Sequence, residues 1–457
     1  MAVLISTGSR PQSNKQNAFR PIYYLGCKTS FAPAIEAAID EVDPSGGRLV
    51  DLFSGTGAVG AALGATREVT TVDVQEYSRV LCSAVLNPPG LSAHVIEQIT
   101  TELARGETTL QLLWCLQPLI DHERYCIDSA IRGDPLALIA LLESPPLEAY
   151  ESLQLRISAS RLGDATQEVI TRLQTAGLWR SANTTVARNF GGVYFSFQQA
   201  AMLDATLSIA EHSDEHIKDT LMAASLSTAS SLVNTVGKQF AQPIQPRNKA
   251  GVVKPRLAKT VQKDRTLDVV KTYRTWLRKY ARLPRAAGNP RSLRLDYLSA
   301  MEQHGSSFSV VYADPPYTRD HYSRFYHVLE TMCLRDNPKI SRVSKHGNFT
   351  LSRGVYRENR HQSPFCIRSE APAAFSVLFK TTREHDLPLV LSYSPHETGD
   401  GTHPRVVSME QIVDLARTFY DRIEVCVVEG VTHNKLNSNE LKLKTRDHAE
   451  ILLKCFR

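Results

Sequence analysis

An apolar run that includes Val310 is followed by the carboxylate of Asp314, two prolines and the aromatic ring of Tyr317. The carboxylate of Asp314 and the carbonyl of Pro315 can accept the two N–H groups of an exocyclic amine, and the ring of Tyr317 can stack on the base that carries it. Proline has a fixed φ and lacks an N–H donor, so the carbonyls of Pro315 and Pro316 stay available to a ligand. A plain surface turn is the alternative, because Asp-Pro is a common turn dipeptide.

A glycine-rich run upstream supplies a second candidate site. Residues 48–53 predict a buried strand, and Gly55 and Gly57 follow it ahead of a predicted helix. Glycines let the backbone approach a ligand, and the carboxylate of Asp73, at the end of the next predicted strand, can hold both hydroxyls of a ribose. The glycine spacing also fits the dinucleotide fingerprint, so NAD is an alternative cofactor. Asp51 favours a cationic cofactor, because a carboxylate beside the glycines attracts a sulfonium or an amine and repels a pyrophosphate.

Six short runs resemble, in the same order, the DNA adenine methyltransferase family that includes the Dam enzymes. They are Tyr24 to Lys28, Phe53 to Gly57, Asn189 to Phe195, Asn234 to Phe240, Asp314 to Tyr317 and Glu450 to Leu453. The family often has Glu-Pro where this chain has Asp51 and Leu52, a departure that keeps the acid. Asp-Pro-Pro-Tyr is shared with cytosine-amino methyltransferases, and the segment 88–188 has no recognised counterpart.

The resemblance implies an α/β fold, with a Rossmann-like class I methyltransferase sheet and an inserted, mainly helical target-recognition or accessory region. It implies transfer of a methyl group from S-adenosylmethionine to the N6 amino group of adenine in duplex DNA, with the target base flipped out. It also implies a restriction–modification or phage-defence system, with a restriction or defence protein as partner. The alternatives are a cytosine-N4 methyltransferase, a non-catalytic DNA-binding subunit and a nucleotide-cofactor oxidoreductase. Intact Gly55, Gly57 and Asp314 weigh against the subunit.

The resemblance assigns two sets of side chains to the reaction. The run from Asp314 to Tyr317 is expected to hold the flipped base while its amino nitrogen attacks the methyl group. Asp296 ends a predicted strand, where it can accept a hydrogen bond from the adenine of the cofactor; a helix N-cap is the alternative and does not exclude that role. The expected cofactor residues are Tyr24, Lys28, Asp51, Phe53, Gly55, Gly57, Asp73 and Asp296.

The positive charge of the chain is concentrated in one segment. From Lys238 to Arg294 there are sixteen Lys or Arg residues against two acids, in a chain of formal net charge +6. A basic segment with interspersed aromatic residues is typical of nucleic-acid contact, whereas the prolines of its first half leave a solvated linker as the alternative. The predicted DNA-binding residues are Lys238, Arg247, Lys249, Lys271, Arg274, Arg278, Lys279 and Arg282, with Tyr322 and Arg324 after the catalytic run.

The stretch that follows Tyr317 has two interpretations. Tyr322 and Arg324 can line the pocket of a flipped base or wedge the duplex. The alternative is a helix that packs an apolar face, for which Val328 and Leu329 have the right spacing. His327 is expected to be a hydrogen-bonded helix residue rather than a base.

Length and composition fit an enzyme of two or three domains. The 457 residues, 42% hydrophobic, show no signal peptide and no apolar run of the ~18 residues that span a bilayer. The eight cysteines are scattered, so we expect neither a metal site nor a disulfide framework. We expect the thiols to be reduced and the protein to be cytoplasmic. The expected segments are a flexible arm (1–19), a cofactor-binding first half of the core (20–87), an acidic helical accessory insert (88–188), a basic target-recognition region (189–290) and a catalytic second half of the core (291–457).

Overall fold

The computed structural model divides the chain into two compact units. The described residues are 4–7, 19–24, 26, 28–316, 322–345, 348–393, 405–429 and 448–457. The first unit is formed by residues 1–88, 284–322 and 361–457, and the second by residues 89–283 and 323–360. Each unit therefore gathers segments that are distant in the sequence.

The first unit contains an eight-stranded sheet and its covering helices. The strands are β1 (Leu4–Thr7), β2 (Leu49–Asp51), β3 (Val69–Asp73), β4 (Arg291–Arg294), β5 (Val310–Ala313), β8 (Leu389–Tyr393), β9 (Ile423–Glu429) and β10 (His448–Cys455). The helices are α1 (Ala32–Val42), α2 (Ala58–Leu63), α3 (Glu76–Leu86), α14 (Tyr297–His304), α16 (Ala371–Glu384) and α17 (Met409–Arg417).

The sheet is mostly parallel. Its strands follow one another in the order β1-β9-β10-β8-β5-β2-β3-β4, and every pairing is parallel except those of β10 with β8 and β9. Successive residues of a strand face opposite sides, so each side has its own hydrophobic core. Leu49 packs with Ile39 of α1 in one core, and Val50 packs with Phe375 of α16 in the other. Strands covered on both sides read as continuous apolar runs, which explains why β2 and β5 are visible in the sequence.

The prediction of a mixed α/β fold is confirmed. The strand predicted at 48–53 overlaps β2, and the strand predicted to end at Asp73 corresponds to β3. Two features differ from the expected division of the chain. Leu4–Thr7, inside the expected flexible arm, pairs with β9, and residues 323–360 lie in the second unit rather than with the catalytic half of the core.

The second unit is mainly helical. Its helices are α4 (Ala93–Arg105), α5 (Glu107–Ile131), α6 (Leu136–Glu143), α7 (Leu147–Ser152), α8 (Arg161–Thr175), α9 (Thr185–Phe190), α10 (Phe197–Glu211), α11 (Glu215–Leu232), α12 (Leu257–Arg265), α13 (Val269–Tyr280) and, from its second residue on, α15 (Tyr322–Leu334). A hairpin is formed by β6 (Arg342–Lys345) and β7 (Asn348–Leu351). In the described part of the chain, no helix combines the length and the apolar character that crossing a membrane requires.

Candidate active site

Four carboxylates lie at the carboxyl ends of neighbouring parallel strands. Asp51 ends β2, Asp73 ends β3, Asp314 follows β5 and Asp296 lies just beyond β4. β2 pairs with β3 on one side and with β5 on the other, so the order of strands reverses at β2. Open α/β sheets bind ligands in the crevice at such a reversal. The first unit thus brings the four carboxylates that the sequence singled out to one edge of the sheet.

The loop between β2 and α2 requires glycine. Gly55 and Gly57 have φ values of +54° and +73°, in the left-handed region that glycine adopts without strain. A Cβ atom on Gly55 would lie 2.6 Å from the hydroxyl oxygen of Tyr24, so Tyr24 packs directly on the loop. The loop therefore has no room for a side chain at Gly55, and its bare backbone lies at the edge of the sheet where the carboxylates meet.

Asp73 holds the glycine loop from the neighbouring strand. Its Oδ2 accepts a hydrogen bond from the N–H of Gly55 at 3.1 Å, and its Oδ1 accepts one from the N–H of Gln75 at 3.0 Å. Burial raises the pKa of Asp73, and these two hydrogen bonds oppose that shift. The carboxylate is thus fixed in place, and its predicted contact with a ribose stays a prediction.

The carboxyl group of Asp51 is strongly perturbed by its surroundings. Its side chain is 1% exposed, and burial, followed by the charge of Asp314, raises its pKa to about 8. Among the described residues, no donor bonds its Oδ1. A buried acceptor without a donor is costly unless a ligand supplies one. Asp51 therefore suits a ligand that brings a positive charge or an N–H group.

Aromatic rings gather beside these carboxylates. The ring centroid of Phe53 lies 5.6 Å from that of Tyr297 and 5.4 Å from that of Phe365. Phe365 was not anticipated, because it lies in a short 3-10 turn, Pro364–Cys366, far along the chain from both partners. Phe53 and Tyr297 are partly exposed beside the buried ring of Phe365, so these two rings supply an apolar surface next to the glycine loop.

Asp296 is an N-cap, as the alternative interpretation held. Its Oδ1 accepts hydrogen bonds from the N–H groups of Leu298 and Ser299 at 3.0 and 3.1 Å, at the start of α14. Burial raises the pKa of Asp296, but these bonds and one from the hydroxyl of Ser299 lower it below its ordinary value. The carboxylate stays charged. Its hydrogen bond to the adenine of the cofactor stays a prediction, since the N-cap role does not exclude it.

Lys28 contacts the catalytic run. Its Nζ lies 3.2 Å from Oδ1 of Asp314 and 3.0 Å from Oε2 of Glu450 on β10. Glu450 in turn accepts a hydrogen bond from the hydroxyl of Ser392 at 2.9 Å. The sequence assigned Lys28 to the cofactor, whereas these contacts join it to Asp314. The resemblance included Glu450 in its terminal run but assigned this side chain no role, because the contact with Lys28 joins distant parts of the sequence.

The remaining residues of the catalytic run are described in part. Pro315 is buried, and the carbonyl oxygen of Pro316 lies 3.9 Å from the thiol sulfur of Cys366. Tyr317 lies outside the described residues. Tyr322 begins α15, and its hydroxyl oxygen would lie 3.7 Å from a Cβ atom on Gly26, within the first unit. Tyr322 is thus beside the Tyr24-to-Lys28 run rather than among the basic residues of the second unit.

Three of the predicted DNA contacts have partners within the second unit. Lys238 Nζ lies 2.8 Å from Oδ1 of Asp264 and donates to the carbonyl of Val233 at 2.9 Å. The other two also reach carboxylates: Arg274 lies 3.2 Å from Glu97, and Arg247 lies 3.4 Å from Glu143. For Lys238, whose side chain is half-buried, these contacts indicate a structural role.

The other predicted cations are exposed. They are Lys249, Lys271, Arg278, Lys279, Arg282 and Arg324. On α13 the exposed cations follow a helical spacing, whereas Tyr273 and Tyr280 on the opposite side are fully buried. The ammonium of Lys279 lies 4.0 Å from the ring centroid of Trp276. Two of the three aromatic residues interspersed among the cations of α13, Tyr273 and Tyr280, are therefore core residues.

α15 packs its apolar face, as the alternative interpretation held. Val328 and Leu329 are fully buried. His327 is buried as well, its Nε2 lies 3.1 Å from the carbonyl oxygen of Phe240, and burial lowers its pKa to about 3. The expectation that His327 is a hydrogen-bonded helix residue is confirmed.

The residues of the sheet edge fit S-adenosylmethionine. The unpartnered oxygen of Asp51 suits its cationic groups, the positive φ values of Gly55 and Gly57 keep the loop backbone free of side chains, and the rings around Phe53 suit an adenine. A pyrophosphate would place negative charge beside Asp51. Within the described ranges, His, Cys, Asp and Glu side chains form no group of three or more that could hold a metal ion.

Comparison with known proteins supports the family that the motifs indicated. Residues 24–110 match the family described as D12 class N6 adenine-specific DNA methyltransferase. The modification methylase LlaI of Lactococcus lactis subsp. lactis is 30% identical over 131 residues, which are 29% of this chain and 17% of that protein. The chain thus aligns with about a sixth of the length of this relative. The resemblance to adenine methyltransferases is confirmed, and the family match includes the Tyr24-to-Lys28 run and the glycine loop.

Proposed function

We propose that this chain is a DNA methyltransferase that transfers a methyl group from S-adenosylmethionine to the N6 amino group of adenine in duplex DNA. One observation carries the proposal. Asp51 pairs in register with Tyr312, two residues ahead of Asp314, so the cation-attracting carboxylate and the amine-accepting carboxylate lie at the ends of adjacent strands. A methyl donor and an amino acceptor held at these two positions would be neighbours. The first unit would then be a Rossmann-like class I methyltransferase core.

The residues of the catalytic run have defined tasks in this reaction. Asp314 and the carbonyl of Pro315 accept the two N–H groups of the target amine, which frees the nitrogen lone pair from the ring. S-adenosylmethionine supplies the electrophilic methyl group when bound. Asp314 offsets the positive charge that develops on the nitrogen, so positioning and electrostatics do most of the work. Tyr317 stacks on the flipped base, which offsets ~1–3 kcal/mol of the extrusion energy.

The second unit would recognise the DNA. Its exposed cations on α13, with Lys249 and Arg324, are the candidates for phosphate contact, and Lys238 is withdrawn from that set because of its ion pair with Asp264. The α4–α8 segment, which was predicted to be an acidic helical accessory insert, keeps that interpretation. The proposed function implies a restriction–modification or phage-defence setting, with a restriction or defence protein as partner and a cytoplasmic location. This setting rests on the proposed function and not on any described contact.

The test is transfer of labelled methyl groups from S-adenosylmethionine to duplex DNA, with the methylated nucleoside identified by mass spectrometry. N6-methyladenine is the expected product. N4-methylcytosine would favour the cytosine alternative, since Asp-Pro-Pro-Tyr serves both amines. No product, with DNA binding retained, would favour the non-catalytic subunit.

Asp314→Asn tests the catalytic assignment. The amide removes the negative charge and presents a donor to the substrate amine, so we expect near-complete loss of transfer with binding of DNA and cofactor largely retained. Single-turnover transfer is compared with wild type, and both binding affinities are measured in parallel. A wild-type rate in Asp314→Asn would mean that the run is a structural turn.

A further inference from the structure

A buried ammonium lies between two carboxylates at the catalytic run. The two N···O distances from Lys28 to Asp314 and Glu450 are nearly equal, at 3.2 and 3.0 Å. The side chains of Lys28 and Glu450 are 5% and 0% exposed. When all three groups are ionised, their summed charge is negative by one unit. Glu450 is therefore a buried carboxyl group of β10 whose described contacts lead through Lys28 to Asp314.

The burial of a carboxylate inside a sheet requires an explanation, because it costs folding free energy unless the charge is paired. If Lys28 faced Asp314 alone, the two charges would cancel, and Asp314 would offer a substrate amine little negative potential. Glu450 competes for the same ammonium from the other side. Ser392 fixes Glu450 for this task by donating to its second oxygen.

We propose that Glu450 is a positioning residue for methyl transfer. It draws the charge of Lys28 toward β10, so that Asp314 keeps a net negative potential for the target amino group. Glu450 does not touch the substrate and acts through Lys28. The inference rests on the proposed function, since it assigns Glu450 a part in the same reaction.

The central variant is Glu450→Gln, which keeps the shape of the side chain and removes its charge. We expect its single-turnover methyl transfer to fall on the order of 10- to 100-fold, as one unit charge in a partly buried site would produce. Affinities for S-adenosylmethionine and DNA should not change. The matched control is Glu424→Gln on β9, because Glu424 is also a buried carboxylate paired with a lysine, Lys454, and is not connected to the catalytic run through described contacts.

A double variant separates charge from packing. Lys28→Met combined with Glu450→Gln restores the summed charge of −1 through Asp314 alone, so we expect transfer at least several-fold faster than in Glu450→Gln. A structural role for Glu450 would make the double variant slower still. Ser392→Ala keeps the charge of Glu450 and removes one hydrogen bond, so it should slow transfer less than Glu450→Gln does.

The outcomes are distinct. Wild-type protein that methylates no DNA would refute the proposed function itself. Active wild-type protein with an equally active Glu450→Gln variant would overturn the inference and leave the function standing. A double variant no faster than Glu450→Gln, or a Ser392→Ala variant as slow as Glu450→Gln, would likewise overturn it, since packing would then explain the loss. Thermal unfolding of every variant is followed in parallel.

Discussion

Replacing Asp51 with Asn should stabilise the ligand-free protein, and more so as the pH rises. Burial, and then the charge of Asp314, raises the pKa of Asp51 to about 8, whereas unfolding returns it to its ordinary value of 3.8. Between these values the folded protein binds the proton that the unfolded chain releases. The free energy of unfolding therefore falls as the pH rises from about 4 to about 8.

The size of this change in the free energy of unfolding follows from the shift in the pKa of Asp51. One pKa unit corresponds to about 1.4 kcal/mol, so the burial of Asp51 lowers the free energy of unfolding by up to about 4 kcal/mol at pH 7 and by up to about 2 kcal/mol at pH 5. Asn has the same shape and no charge, so Asp51→Asn should recover most of this difference. An unpaired amide at the same place adds a contribution that does not vary with pH.

Urea unfolding of the ligand-free protein at pH 5 and pH 7.5 measures the difference. The control is Asp43→Asn: burial raises the pKa of Asp43, but hydrogen bonds from Ser45 and Arg67 lower it below its ordinary value. Asp43 thus contributes stability above its ordinary pKa that is lost on acidification, and its replacement should destabilise the protein at pH 7.5. A stability gain of Asp51→Asn that is the same at both pH values would refute the reasoning.

The same substitution should weaken S-adenosylmethionine binding. The ionised carboxylate attracts the cation, so wild-type affinity should rise by up to about tenfold per pH unit between pH 6 and 7.5, while the affinity of Asp51→Asn stays flat. Calorimetry over this range checks it. A flat wild-type profile, or tight binding of NAD without a response to S-adenosylmethionine, would contradict the placement of the cofactor beside Asp51.

Two further predictions concern the loop and the basic helix. Gly55→Ala should weaken cofactor binding and cost about 1–3 kcal/mol of stability, because the φ of Gly55 is positive and a Cβ atom would meet Tyr24. Calorimetry measures the affinity and urea unfolding measures the stability. An unchanged affinity would mean that the loop is remote from the cofactor. Exchanging the exposed cations of α13 for Gln should flatten the log–log salt dependence of DNA binding by ~0.9 for each phosphate that is no longer neutralised, and should leave cofactor affinity unchanged. Lys238→Gln, in contrast, should lower the melting temperature, since Lys238 pairs with Asp264. The cations to exchange are Lys271, Arg278 and Lys279.

Three of the four carboxylates of the sheet edge could be predicted from the sequence because each ends or follows a short buried strand. Asp51, Asp73 and Asp314 end or follow runs that are buried on both faces, and such runs are legible without an alignment. The parallel arrangement then brings strand ends together. At these positions the sequence pattern of each strand agrees with its place in the sheet.

Contacts between distant segments could not be predicted. Lys28 and Glu450 lie near opposite ends of the sequence, and they meet only in the folded unit, where β10 carries Glu450 between β8 and β9. In the same way, the acid that withdraws Lys238 from solvent, Asp264, is one of two in a basic segment. Charge counted along a sequence says nothing about which cations face inward.

The position of β10 has a consequence for how this molecule is made. β10 is the last of the described strands to be synthesised, yet it lies between β8 and β9 rather than at an edge. Until it is in place, β1 and β9 have no hydrogen-bonded connection to the other strands of the sheet, and β8 presents an open edge that can pair with other chains. Folding of the sheet must therefore wait for a distant, late segment, which slows it and prolongs that exposure. Shortening the chain at β10 should harm solubility far more than shortening it at Leu4–Thr7, whose strand pairs with β9 alone.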